Sequence, residues 1–281
     1  MKQIIFEKPF VLSMGPQRAG TSWLDRYLRH RDDVCLPGQV KEVFFFDRHY
    51  DKGPAFYKSH FKPEALHALV MEISTTSFDH ADAPERVHEV FGDQLVMLCP
   101  LRHPVTRSYS LYQHYKRYGI VTGTLMEACK QKPQILDSSR YAAHLERWYT
   151  FFPKENIHFI FQEDLEENPN LYVQNLCSVL DIPYTDISDA LLGKFNAGTT
   201  SHVHLLASLA QKGADWLRGH RLYFVINAAK KMGFKHLIFG KDKGNSEELS
   251  ISDEEREWLM AQLEQEVDNL EQLIGQIPQW H

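Results

Sequence analysis

The chain has 281 residues, 43% of them apolar and 12% aromatic, which is enough to bury one sizeable core and excludes a disordered polypeptide. A formal net charge of -6 excludes a protein that works by general attraction to nucleic acid or an anionic membrane, so any bound anion has to be gripped locally. Cys35, Cys99, Cys129 and Cys177 are far apart with no CxxC pair, which excludes a dense disulfide framework and predicts free thiols in a reducing compartment.

Near the N-terminus Glu7 and Lys8 split two short apolar runs and spoil a signal-peptide core, and no run reaches the roughly 18 apolar residues of a membrane span. The expectation is a cytoplasmic protein. Phe10 to Met14 is a continuous apolar run and predicts a buried strand. The loop Gly15 to Gly20 follows, and then "TSWLDRYLRHR" sets Trp23, Leu24, Tyr27 and Leu28 on one helical face. Val34–Leu36 and Ala68–Ser74 are weaker strand candidates, with a helical pattern over Ala83–Phe91 after them. Gln94–Leu101 repeats the first unit: a buried run, Pro104 at a first helical position, then Leu111, Tyr112 and Tyr115 on one face. Ile157–Gln162 predicts a fifth strand and Asn168–Leu180 another helix.

From about Asn196 the pattern turns irregular and polar. The chain closes with a predicted acidic helix over about 252–274, opened by a Ser252/Glu255 capping box and presenting Leu259, Leu263, Val267, Leu270 and Ile274 to the core. Strands alternating with helices predict an α/β three-layer sandwich with a mostly parallel central sheet. With no repeat or linker, a single domain over 1–281 is expected. Ligands of such sheets sit beyond the carboxyl ends of the strands, where Gly15 and Arg102 fall.

The loop has the glycine spacing of GxxxxGK[ST], but Thr21 stands where a nucleotide triphosphatase has its lysine. Loop amides and the positive end of the following helix still make an anion cradle. Its cation is Arg18, with Thr21 and Ser22 adding hydroxyls. A second basic stretch surrounds Arg102: no Asp or Glu occurs between Asp93 and Glu127, while Arg102, Arg107, Lys116 and Arg117 do. Lys116 and Arg117 read as solvated residues on a helix face. In "KEVFFFDRHYDKG", Lys41 to Gly53, Glu42 is a carboxylate that can take a proton from an attacking hydroxyl; the plainer reading pairs it with Lys41 and sends Phe44 to Phe46 to the core. His202 and His204 form a lone HxH without carboxylate support, so no metal site is expected.

Gly15, Pro16, Gln17, Arg18, Ala19, Gly20, Thr21 and Ser22 resemble the 5'-phosphosulfate loop of sulfotransferases that use 3'-phosphoadenosine 5'-phosphosulfate (PAPS), with Gln17 lengthening the usual spacing by one. Arg102, Pro104, Arg107 and Ser110 resemble the 3'-phosphate motif of the same family. Lys41 to Asp47 is similar to the K-E-x-x-[FY]-F-[DN] segment of its heparan sulfate and related bacterial branch. The resemblance implies a P-loop nucleotide-kinase-like fold, PAPS as donor and no metal. It implies donor contacts from Gln17, Arg18, Ala19, Gly20, Thr21, Ser22, Arg102 and Ser110, with Arg18 also stabilising charge in the reaction. Glu42 becomes the base, and Lys41, Phe44 and Asp47 face a carbohydrate or small-molecule acceptor; His49 is the next candidate on that segment. Glu72 to Phe78 resembles an E-K-S-P-x-Y-F stretch, with Ile73 at the lysine's place, and Phe44 stands where several relatives have His. Two other readings remain: a P-loop nucleotide or small-molecule kinase, which would need magnesium and the missing lysine, and a non-catalytic nucleotide-binding module, which would not need Glu42.

Overall fold

The computed structural model describes residues 3–38, 40–188, Leu191 and 251–280. Five strands, β1 (Phe10–Ser13), β2 (Val34–Cys35), β3 (Leu69–Ile73), β4 (Val96–Leu101) and β5 (Ile157–Phe161), form one sheet in the order β2-β3-β1-β4-β5. All pairings are parallel, with Leu12 of β1 beside Glu72 of β3 and Met97 of β4. Every expected strand is present. β1 and β4 are readable as largely apolar runs because a parallel sheet is covered on both faces, whereas β3 and β5 carry Glu72 and His158 within theirs.

The chain leaves β1 toward β2 and leaves β4 in the opposite direction, toward β5. Right-handed crossovers therefore put helices on both faces. Helix α1 (Thr21–Arg29) fills the first crossover; α2 (Phe45–Arg48), α3 (Gly53–Lys58) and α4 (Ala83–Phe91) follow in the next two. Beyond β4 come α5 (Pro104–Arg117), α6 (Leu125–Gln131), α7 (Gln134–Asp137) and α8 (Tyr141–Tyr149), and beyond β5 come α9 (Gln162–Glu167) and α10 (Pro169–Leu180). Trp23 of α1 meets Tyr172 of α10 edge to face at 5.7 Å. The last described helix, α11, runs Asp253–Ile274 and opens with the expected capping box: the Glu255 N–H donates to Ser252 Oγ at 3.2 Å.

The chain divides into two compact units. The first holds the described residues up to Arg107, from Ser138 to Leu191 and from Leu263 onward, and contains the sheet. Its core joins Leu12, Met97, Phe45, Phe46, Tyr57 and Trp148 to Val267, Leu270 and Trp280. The Ala142 N–H, at the start of α8, donates to Glu266 Oε1 of α11 at 2.5 Å. The second holds Ser108–Asp137 and the described residues 251–262. Within it Thr124 and Glu127 cap α6 reciprocally, and Tyr112 Oη donates to the Gly123 carbonyl. Lys116 is exposed as expected, though its Nζ also donates to Tyr112 Oη at 2.7 Å. The polar stretch from Asn196, with His202 and His204, lies outside the described residues. No described helix is long and apolar enough to cross a membrane, and all four cysteines are free and buried.

Candidate active site

The carboxyl end of β1 delivers the chain into the phosphate loop, which is pressed onto β4. Met14 N–H donates to the Leu98 carbonyl at 2.9 Å, and a Cβ on Gly15 would lie 2.3 Å from the Pro100 carbonyl oxygen, so only glycine fits there. Arg18 (φ 74°) and Gly20 (φ 79°) both adopt the left-handed conformation that turns the loop into α1. For Arg18, which has a Cβ, this costs on the order of 1 kcal/mol. Such strain on a charged residue at a strand end fits a ligand-facing position. Gly20 caps α1, accepting the Trp23 N–H at 2.9 Å, and the helix's positive end opens directly behind the loop. Ala19 and Thr21 are buried, while Gln17, Arg18 and Gly20 are half-buried and Ser22 is exposed.

Lys41 Nζ stands 3.2 Å from Thr21 Oγ1 and 3.5 Å from Glu42 Oε1. One ammonium group thus links the end of the phosphate loop to the expected base. Thr75 Oγ1, in the turn after β3, donates to Glu42 Oε2 at 2.8 Å. The Lys41 pairing foreseen for Glu42 and its proximity to the loop coexist. Phe45 and Phe46 enter the core, whereas Phe44 is half-buried at φ 56° with the Arg48 guanidinium 4.4 Å from its ring centre. Asp47 Oδ2 accepts from Arg48 Nε at 3.1 Å; its Oδ1 is buried without a hydrogen-bond partner. Burial, with Lys52 nearby, holds His49 below its ordinary pKa and hence neutral at pH 7.

Arg102 follows β4 directly. Its carbonyl accepts from Tyr141 Oη at 2.8 Å, and the next N–H, of His103, donates to Glu163 Oε1 at 2.9 Å. His103 Nε2–H donates to the Trp280 carbonyl at 3.0 Å, and its Nδ1 accepts the Val105 N–H, which fixes the tautomer. Burial pushes the Glu163 carboxyl up, opposed by the His103 N–H and the Arg102 charge. Arg107 is fully buried: its Nε donates to Ser139 Oγ, and Ser139 Oγ donates to the Pro104 carbonyl at 3.0 Å. Of the two motif arginines, Arg107 anchors the start of α5, and the half-buried Arg102 is the one at the sheet's carboxyl edge. Ser110 is half-buried, two turns into α5.

A family model for the sulfotransferase domain matches residues 8–208. The chain belongs to this family. Among curated relatives, it is 27% identical over 192 residues to a bifunctional heparan sulfate N-deacetylase/N-sulfotransferase 1 of Caenorhabditis elegans, covering 62% of this chain and 22% of that protein. It is 32% identical over 171 residues to the human heparan sulfate glucosamine 3-O-sulfotransferase 3B1, covering 57% of this chain and 43% of that one. The match thus spans less than half the length of either relative. A crystal structure of a sulfotransferase from Alicyclobacillus acidocaldarius superposes with a TM-score of 0.67 at 19% identity, covering 98% of this chain and 99% of the other, and shares the fold.

Thr21 stands in place of the lysine of GxxxxGK[ST], and the ammonium group beside it is that of Lys41, from a different segment. Three contributors escaped the sequence reading. Thr75 lies one residue beyond the predicted strand Ala68–Ser74, and its contact with Glu42 joins residues 33 apart in the chain. Gln162 packs its side chain against Gly20, where a Cβ would lie 2.1 Å from Oε1; in the sequence it is only the last residue of the predicted strand Ile157–Gln162, and the observed β5 ends one residue earlier. Glu72, the fourth of the five residues of β3, is fully buried. Its Oε1 accepts the Val43 N–H at 2.8 Å and its Oε2 accepts from Tyr57 Oη at 2.6 Å, while desolvation pushes its pKa up to about 7. Ile73, the next residue, is likewise fully buried. Among the described residues no group of three or more His, Cys, Asp or Glu is arranged to hold a metal ion.

Proposed function

We propose that the chain acts as one domain that transfers a sulfuryl group from PAPS to an acceptor hydroxyl, a carbohydrate first among the candidates. The observation that carries this reading is the Lys41 bridge, which puts the phosphate-loop hydroxyl of Thr21 and the Glu42 carboxylate one ammonium apart. The loop fits a phosphate: a glycine-tight turn, a helix N-terminus and Arg18 converge there. Gln17, Arg18, Ala19, Gly20, Thr21 and Ser22 hold the sulfated 5'-phosphate, and Arg102 holds the 3'-phosphate. Glu42 takes the acceptor's proton as its oxygen bonds to sulfur. The S–O bond to the phosphate breaks, and its electron pair stays on the bridging oxygen of the departing adenosine 3',5'-bisphosphate. Arg18, the loop amides and Lys41 offset the charge growing there. Asp47, with a buried oxygen lacking a partner, and Phe44 face the acceptor.

Relatives named for heparan sulfate support a sugar acceptor. Four free, buried cysteines support a cytoplasmic site of action. Incubation with sulfur-labelled PAPS and a panel of sugars, glycosaminoglycan fragments and lipid alcohols, in excess EDTA, tests the reading. Labelled product is expected, and Glu42→Gln should lower kcat roughly 10²- to 10⁴-fold while leaving donor binding intact. Binding without transfer to any acceptor would favour the non-catalytic module. A strict magnesium requirement would restore the kinase.

A further inference from the structure

The reaction makes no direct use of Glu72, yet it is fully buried within the sheet, beside Leu12 of the central strand. A buried carboxylate is costly unless its oxygens are bonded. Both are committed, one to the Val43 N–H and one to Tyr57 Oη. That N–H belongs to the peptide whose carbonyl is Glu42's own. Holding it fixes the peptide plane next to Glu42, and with it the direction in which the Glu42 side chain leaves the backbone.

The segment from Lys41 to Phe44 has no regular secondary structure to do this, and it runs into the left-handed Phe44. Its buried N–H at Val43 needs an acceptor from elsewhere. Three residues beyond Glu72, Thr75 holds the Glu42 carboxylate itself. The turn between them is braced: Ser74 N–H donates to the Ser13 carbonyl at 2.8 Å, and the Ser74 and Ser77 hydroxyls lie 2.6 Å apart. Ser13 ends β1, two residues before the phosphate loop. Strand β3 and the turn after it therefore secure Glu42 at both backbone and carboxylate, from the same support that carries the donor loop.

We propose that Glu72 is the positioning residue for the base: through the Val43 amide, and with Tyr57 as its anchor, it sets Glu42 within reach of the acceptor hydroxyl. The inference rests on Glu42 being that base. What the role requires is an acceptor at Oε1 and a partner for Tyr57, and a glutamine supplies both through its oxygen and its amide nitrogen. Charge is not required.

The test measures kcat, and the dissociation constant of adenosine 3',5'-bisphosphate by calorimetry, for Glu72→Gln, Glu72→Met and Tyr57→Phe, each alone and combined with Glu42→Gln. Glu72→Met should lower kcat roughly 10- to 100-fold, as expected for a misplaced catalytic group, with bisphosphate affinity unchanged. Glu72→Gln should recover most of that loss. In the Glu42→Gln background the methionine should cost nothing further, because no base is left to misplace. The positioning role is overturned if Glu72→Met keeps wild-type kcat, if it loses bisphosphate affinity in step with kcat, if Glu72→Gln is equally slow, or if its loss multiplies with that of Glu42→Gln. Should Glu72→Met not fold, Tyr57→Phe carries the same comparison: a several-fold loss of kcat that vanishes beside Glu42→Gln supports the role, and wild-type kcat removes it. A Glu42→Gln variant with wild-type kcat would instead fail the underlying reading.

Discussion

Arg102 is half-buried just past the end of β4 and is held there through its backbone. The Tyr141 and Glu163 bonds go to its carbonyl and to the following N–H, so shortening the side chain leaves the strand end intact. Arg102→Ala therefore isolates one contact. Charge-assisted hydrogen bonds are worth roughly 1.5–3 kcal/mol, so the variant should bind adenosine 3',5'-bisphosphate about ten- to a hundredfold more weakly while its affinity for AMP stays the same. Equal losses for the two nucleotides in calorimetric titration would withdraw the 3'-phosphate from Arg102. This residue was legible in the sequence because a cation directly after an apolar run has few structural uses. Glu42 was legible as a carboxylate beside aromatics. Glu72 was not: a single acid inside "LVMEI" looks like a flaw in a strand, and its partners, Val43 and Tyr57, lie 29 and 15 residues away.

At the level of elements, the β-loop-α units around β1 and β4 were legible because two signals coincide there, an apolar run and a helix start. The short helices α2, α6 and α7 were not, since four to seven residues give too few turns for a period to show. The loop's contact with β4 was equally hidden, because a glycine reads the same whether a turn or a neighbouring strand demands it. Gly15→Ala should reveal which. Its Cβ would meet backbone and ring atoms of Pro100 at 2.3–2.7 Å, and these cannot swing aside. The variant should lose about 1–3 kcal/mol in urea unfolding and bind the bisphosphate more weakly as the loop lifts from β4. Gly38→Ala, with nothing within 4 Å of the added carbon, is the control and should leave both measurements unchanged.

Across the whole molecule, a chain of net charge -6 has no Asp or Glu between Asp93 and Glu127, yet folding returns one acid to this strand end, Glu163, which accepts the His103 N–H beside Arg102. The division into two units has boundaries inside α5 and α11, where no change of composition exists to mark them. The first unit's core is assembled from residues as distant in sequence as Ile4 and Trp280. That closure gives the domain an optical property. Trp280 is buried with its indole 5.9 Å from the His103 ring, next to Arg102, and Trp23 lies buried in the first turn of α1 behind the phosphate loop. Of the chain's five tryptophans, these two thus stand one behind each proposed phosphate position. Titration with AMP should perturb only the Trp23 emission, and titration with the bisphosphate should perturb both. In Trp280→Phe the two ligands should give the same spectral change although their affinities still differ, so that unlabelled protein reports which of the two phosphates is bound.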